Sequence, residues 1–271
     1  MTDGEGSAPP PRDVRVAFGA DGRPEPLPGG RGTAWRAGSI VLKPLDQPLA
    51  ALEWQAASMP AVAAAVADLR VALPLRTASG ALVVNGWTGW TLCAGRHEPG
   101  RWIEAMRAGD RLHRAFRDFA RPAFLAVRDD PWAVADRAAW EAPSAVGSSD
   151  DRVARLRSCL TPFRESAQLV HGDLTGNVLF EHGQPPAVID LSLYWRPTAY
   201  ARAIVVADAI VWEGGPATLA ANIHADRRRA GQLLARALLF RILADRPVAG
   251  PRGHRDPYQT AIELAIELAT S

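Results

Sequence analysis

One decapeptide constrains this chain more than any other stretch: His171-Gly172-Asp173-Leu174-Thr175-Gly176-Asn177-Val178-Leu179-Phe180. Apolar Leu169-Val170 leads into it, and a second short apolar run, Ala187-Val188-Ile189, follows and ends on Asp190. Two β-like runs thus flank a small polar loop. The oxygen-bearing side chains of Asp173, Asn177 and Asp190 stand at fixed spacing along it. An Asp or Asn beside Gly is ordinary turn chemistry. A carboxylate, an amide four residues on, an apolar triplet and a second carboxylate closing an apolar run make a far narrower pattern.

Phosphoryl transfer asks a protein for a carboxylate that orients a hydroxyl and takes its proton, and for oxygen ligands on the metal that bridges the phosphates. Mg²⁺ is usually held by one or two carboxylates plus phosphates and waters rather than by a full protein cage. Asp173 fits the base, and Asn177 with Asp190 fits the metal ligands. Gly172 and Gly176 are expected to allow the tight backbone between them.

His171-Gly172-Asp173, Asn177 and Ile189-Asp190 resemble the aminoglycoside phosphotransferase and choline kinase branch of the protein-kinase-like superfamily. The resemblance implies an α+β, bilobal fold with a small antiparallel-sheet N-lobe and a mostly helical C-lobe. It also implies ATP as phosphoryl donor, one or two Mg²⁺ ions, and a small hydroxylated acceptor such as an aminoglycoside, amino sugar or amino alcohol. Protein kinases read H-R-D and D-F-G at these places; here Gly172 replaces the Arg and Asp190-Leu191-Ser192 replaces D-F-G. Without that Arg no phosphate on an activation loop need be awaited, so the site is expected to be constitutively competent. The resemblance sets His171 and Asp208 behind the catalytic loop, Asp208 bonding its backbone, and Leu179 and Ile189 beside the nucleotide.

The N-terminal half supplies matching parts. Gly29, Gly30 and Gly32 lie between two strand-like runs, as in a hairpin whose backbone approaches phosphates closely; a plain hairpin turn fits them as well. Lysine is scarce, yet Lys43 sits near the end of the following strand, Ile40-Val41-Leu42-Lys43-Pro44. A period of two puts Val41 and Lys43 on one face and Leu42 on the other, so Lys43 is expected on the phosphates and Val41 against adenine. Glu53, on the helical segment from Leu49 to Ser58, is the expected ion-pair partner of Lys43. A second short helix is expected from Met59 to Val71, with Pro60 at its start. Strands are expected at Arg70–Pro74 and Ala81–Val84, and Asn85 to Gly89 as a hinge where Asn85 and Trp87 offer backbone groups to adenine. The expected division is a disordered tail over 1–12, an N-lobe over 13–86 and a C-lobe over 87–271.

Downstream, helices are expected over 101–119, from Asp129 through Trp140, over 153–160, over 200–212, over 217–244 and over 258–270, with His113 a core histidine and Arg227-Arg228-Arg229 a solvated face. The stretch after Asp190 is too short for a peptide platform, which disfavours a protein kinase. Trp195, Trp212 and Glu213 are the candidate acceptor contacts, two rings to stack on a sugar and a carboxylate for a cation; Asp129, Asp130 and Glu141 are further acidic candidates.

The remaining composition excludes other classes. Net charge is +2 with no basic block, so nucleic acid is not an expected partner. Two cysteines, Cys93 and Cys159, and six scattered histidines give neither a disulfide framework nor zinc spacing. No signal peptide or membrane span is read, and a cytoplasmic monomer or weak dimer is expected. The altered Asp190-Leu191-Ser192 and the irregular glycine loop keep one alternative open, a nucleotide-binding module with little catalysis.

Overall fold

The structure, a computed structural model, describes residues 8–28, 32–141, 150–244 and 256–271. In chain order it holds α1 (Arg12–Phe18), β1 (Glu25–Pro26), β2 (Trp35–Ala37), β3 (Ile40–Pro44), α2 (Leu49–Ala65), β4 (Arg70–Val71), β5 (Pro74–Leu75) and β6 (Trp87–Thr91). Then come α3 (Trp102–Ala115), α4 (Phe124–Val127), α5 (Pro131–Trp140), α6 (Asp151–Ser158), β7 (Gln168–His171), β8 (Val178–Leu179) and β9 (Ala187–Val188). The chain ends with β10 (Leu193–Arg196), α7 (Thr198–Trp212), a 3-10 turn (Ala217–Asn222), α8 (Arg227–Ala244) and α9 (Gln259–Thr270). Two compact units divide it: Met1–His97 with Gly176–Asp190, and Glu98–Thr175 with Leu191–Ser271.

The first unit is built on an antiparallel sheet in the order β1-β2-β3-β6-β5. Alternation along β3 follows the period-two reading. Leu42 is buried with Val14, Phe18 and Ala37, and Val41 packs on the opposite cluster of Leu52, Leu82 and Trp90. Lys43 shares the face of Val41, its ammonium 5.3 Å from the Trp90 ring centroid. A second sheet, β4-β9-β8, runs β4 parallel and β8 antiparallel to β9.

Several boundaries differ from the expected ones, for local reasons. The strand expected over 81–84 is reduced to a bridge between Val84 and Trp87, and the strand proper is β6. Asn85 and Gly86 both have positive φ, 49° and 77°, and the Val84 and Trp87 amides donate to each other's carbonyls at 2.9 and 2.8 Å. That is the two-residue Asn-Gly hairpin that matches strand twist, so residues 85–89 turn back into the sheet instead of forming a hinge. The expected N-lobe limit at 86 would cut β6 from β3, with which it pairs over five residues. Arg70–Pro74 splits into β4 and the start of β5, each paired with a different sheet. The helix expected to restart at Pro60 is continuous, because Pro60 lies exposed within α2. Proline removes one helical hydrogen bond and tends to kink the helix, yet here the helix runs on to Ala65.

The second unit is organised around α8, buried along most of its length and covered by α5, α6, α7 and α9. A helix apolar nearly all round belongs in a core. Its buried polar residues are paired: Gln232 accepts from the Thr161 amide (2.9 Å) and donates to the Cys159 carbonyl (2.6 Å), and Arg236 donates to Thr161 O (2.8 Å). The helix starts follow the sequence, Asp130 capping α5 through the Ala133 amide (3.0 Å) and Asp150 capping α6 through the Arg152 amide (2.9 Å).

Gly231 sets the approach of α8 to α9. A Cβ there would stand 2.2 Å from the Ala269 amide nitrogen, and backbone cannot swing aside as a side chain can. Alanine is the better helix former by about 1 kcal/mol, but overpacking against backbone outweighs that gain. Gly231→Ala is expected to lower stability by a net ~1–3 kcal/mol, read from the urea midpoint. An unchanged or higher midpoint would contradict the close approach.

Candidate active site

In the second unit β7 pairs antiparallel with β10, Leu193 opposite His171, and the Gly172 amide donates to Ser192 O at 2.8 Å. A Cβ on Gly172 would lie 2.5 Å from the Tyr194 ring. Gly172 is therefore required by a packed ring rather than by an unusual backbone angle. Gly176 is the opposite case: its φ is 81° and the space beside it is open.

His171 is fully buried, and its Nδ1 accepts from the amides of Asp173 and Ser192, both at 3.3 Å. Two backbone amides, of Asp173 and Ser192, thus rest on its ring. The His171 amide in turn donates to Nε2 of buried His113 at 3.0 Å. Burial, followed by the charges of His171 and Arg202, lowers the His113 pKa to about 3, so the ring stays neutral and accepts. Between pH 6.5 and about 3 the unfolded chain takes up a proton that the folded one refuses. The stabilisation is complete above pH ~6.5 and is lost as pH falls through that window, on the order of 5 kcal/mol in all. Urea midpoints from neutral to mildly acidic pH should fall accordingly. His113→Gln, which keeps an acceptor but cannot titrate, should flatten that fall.

Asp173 is partly buried and takes a charge-assisted hydrogen bond at Oδ1 from Arg241 (2.7 Å). The same guanidinium forks onto Asp208, Nε to Oδ1 at 2.8 Å and Nη2 to Oδ2 at 2.6 Å. Asp208 was expected to bond the loop backbone. Its carboxylate is forked by Arg241, and the side chain of Thr175 on the loop also acts on it. Burial raises the Asp208 pKa, opposed mainly by Arg241; burial also works against the Arg241 charge, but the two carboxylates overcome it and keep it protonated. Arg241 was missed in the sequence, where the only signal is one charge inside Leu238-Leu239-Phe240-Arg241-Ile242-Leu243-Ala244.

The acceptor candidates separate. Trp212 is 50% exposed, with the Arg241 guanidinium 5.8 Å from its ring centroid and Tyr258 edge-on at 6.1 Å, so it belongs to the Asp173 cluster. Glu213 accepts from the Trp102 indole at 2.5 Å. Trp195, half-buried on β10, lines a cavity with Arg121, Arg128, Arg137 and Arg196. Asp130 is forked by Arg128, while Asp129 and Glu141 are exposed.

In the first unit Lys43 and Asp190 meet, Nζ to Oδ1 at 2.6 Å, across 147 residues of chain. Asp46 takes the same ammonium at 3.3 Å. Burial works to lower the Lys43 pKa, yet Asp190 and Asp46 outweigh it and leave it raised. Glu53, the expected partner, is exposed on α2; the inward positions of that helix are Ala51, Leu52, Gln55, Met59 and Val62. Asp46, three residues after Lys43, takes its place. Asp190, two residues past the end of β9, has φ 48°, a conformation Asp tolerates better than most residues.

Asn177 lies across the β8–β9 pair from Ile189, whose amide donates to the Asn177 carbonyl at 3.0 Å, so Asn177 and Asp190 share one end of the hairpin. One neutral amide and one carboxylate suit Mg²⁺ held chiefly by phosphates. Among the described residues no group of three His, Cys, Asp or Glu side chains offers a closed metal cage. Leu179 and Ile189 are half-buried on the same short strands. Gly29 and Gly30 lie outside the described residues. Gly32 has φ 67° with open space beside it, and the Leu27 amide bonds Ala34 O at 2.9 Å to close the hairpin. The Asn85 side chain donates to Asp13 at 2.6 Å, and the Trp87 amide and carbonyl both bond Val84.

The first unit holds the Lys43–Asp190 pair, and the second holds Asp173 bonded to Arg241. The chain's fold is shared with solved small-molecule kinases. An aminoglycoside phosphotransferase from Alicyclobacillus acidocaldarius is similar over 100% of this chain and 95% of its own, at 14% identity and a TM-score of 0.56. A choline kinase from Streptococcus pneumoniae is similar over 94% of this chain and 98% of its own, at 10% identity and 0.58. A choline/ethanolamine kinase family protein from Mesorhizobium loti is similar over 96% and 94%, at 17% and 0.52. The chain thus has the α+β protein-kinase-like fold. No family model and no curated protein matches the sequence. Among the described residues no helix is long and apolar enough to cross a membrane.

Proposed function

We propose that the protein is an ATP- and Mg²⁺-dependent phosphotransferase that phosphorylates a hydroxyl of a small molecule. The observation that carries the reading is the 2.6 Å pair of Lys43 with Asp190, two residues the sequence had assigned to one nucleotide complex. In this reading Lys43 binds the nucleotide phosphates and Val41 packs beside adenine. Asn177 and Asp190 would hold Mg²⁺, which when bound neutralises charge on the transferring phosphoryl group. Asp173 orients the acceptor hydroxyl and takes its proton, while Arg241 and Asp208 hold the carboxylate in place. Trp212 supplies a ring against which the acceptor stacks. The protein works in the cytoplasm as a monomer or weak dimer.

The test is ADP release against panels of amino sugars, choline-like amines, sugars and aminoglycosides, with and without Mg²⁺, and with Lys43→Met as blank. Mg²⁺-dependent release with one acceptor class, abolished in the variant, supports the reading. The exposed position of Glu53, which leaves Lys43 to Asp46 and Asp190, favours a second one, a nucleotide-binding module with little turnover. Saturable ATP binding with no ADP release from any class would select that one.

A further inference from the structure

The second unit contains a cavity of about 80 Å³ whose walls carry an unusual charge. Arg121, Arg128, Arg137 and Arg196 all line it, together with Tyr194 and Trp195. Two of the guanidiniums are already neutralised. Arg128 forks onto Asp130 at 2.8 and 3.1 Å, and Arg196 onto Asp136 at 3.0 and 2.6 Å. Arg121 and Arg137 form no ion pair with a carboxylate among the described residues, although the Arg137 charge reaches Asp136; Arg137 donates to the Arg128 carbonyl at 2.7 Å. Four guanidiniums thus answer to two carboxylates.

A surface arginine without a partner is common and means little by itself. Here two of them border one concave space, with an aromatic wall and a buried hydroxyl. Tyr194 is 4% exposed, and its hydroxyl interacts with Ser192 and Arg128. Planar guanidiniums match the oxygens of a phosphate or carboxylate. We propose that this cavity binds an oxyanion, the phosphate or carboxylate group of a small molecule, through Arg121 and Arg137. The Tyr194 ring also lies against Gly172, so an occupant sits one ring away from the loop that carries Asp173. The inference stands on the cavity itself and is independent of the kinase reading.

Inorganic phosphate and malonate, titrated calorimetrically at constant ionic strength, distinguish the two oxyanion sources. At least one is expected to bind saturably at millimolar concentration. Arg121→Gln/Arg137→Gln is expected to weaken it about tenfold or more, and Lys43→Met to leave it unchanged. Both arginines are exposed, so the double variant should keep its fold, which a melting curve verifies. Absence of saturable binding by either anion overturns the proposal. So does binding that survives the double arginine variant, or that is lost in Lys43→Met, which would put the anion at the nucleotide site.

Discussion

Arg241→Met is expected to lose about 3–5 kcal/mol of stability and, separately, to lower turnover about 10- to 100-fold. The stability loss comes from Asp208, almost fully buried with its carboxylate forked by Arg241. Removing one member of a buried ion pair strands the other, whereas neutralising both can be nearly harmless. The double variant Arg241→Met/Asp208→Asn should therefore recover most of the stability. Turnover should not return, because Asp173 still lacks the guanidinium that bonds its Oδ1. Arg241→Lys should fall between, keeping a charge but not the fork that reaches two carboxylates. Urea midpoints and acceptor-dependent ADP release read the two effects independently. If the double variant regains both, Arg241 serves packing alone.

This arrangement also marks the limit of what the sequence discloses. The signals that single out Asp173, Asn177, Asp190 and Lys43 are local ones: a loop spacing, a strand end, a period of two. The same arithmetic put Val41 and Leu42 on opposite faces of β3. Arg241 is 68 residues from Asp173 and meets it only because α8 runs through the core of its unit. No local pattern encodes that meeting. The error at Glu53 is of another kind. A helix after a strand lysine invites a helix–strand ion pair, but the buried face of α2 is set by Ala51, Leu52 and Gln55, which leaves Glu53 in solvent. Asn85-Gly86 is a two-residue hairpin sequence, and the backbone takes that turn where a hinge was expected. Gly172 was read as a conformational glycine, while its reason is the Tyr194 ring from β10, a partner visible only once the strands pair.

Asp173→Asn is expected to reduce turnover by about 10²- to 10⁴-fold, the usual contribution of a positioned general base. The KM for ATP should stay unchanged, because Lys43, Asp190 and Asn177, which carry the proposed nucleotide and metal contacts, are untouched. Stability should change little. The amide oxygen can still accept from Arg241, and Asp208 keeps its fork, so no buried charge is stranded. The contrast with Arg241→Met is therefore sharp: one substitution removes chemistry and leaves the fold, the other damages both. An amide cannot take the proton of an acceptor hydroxyl at any pH, so raising the pH should not restore the rate. Turnover close to wild type in Asp173→Asn would remove this carboxylate from the reaction, and would leave the Arg241–Asp208 pair as a structural feature of the core with no catalytic partner.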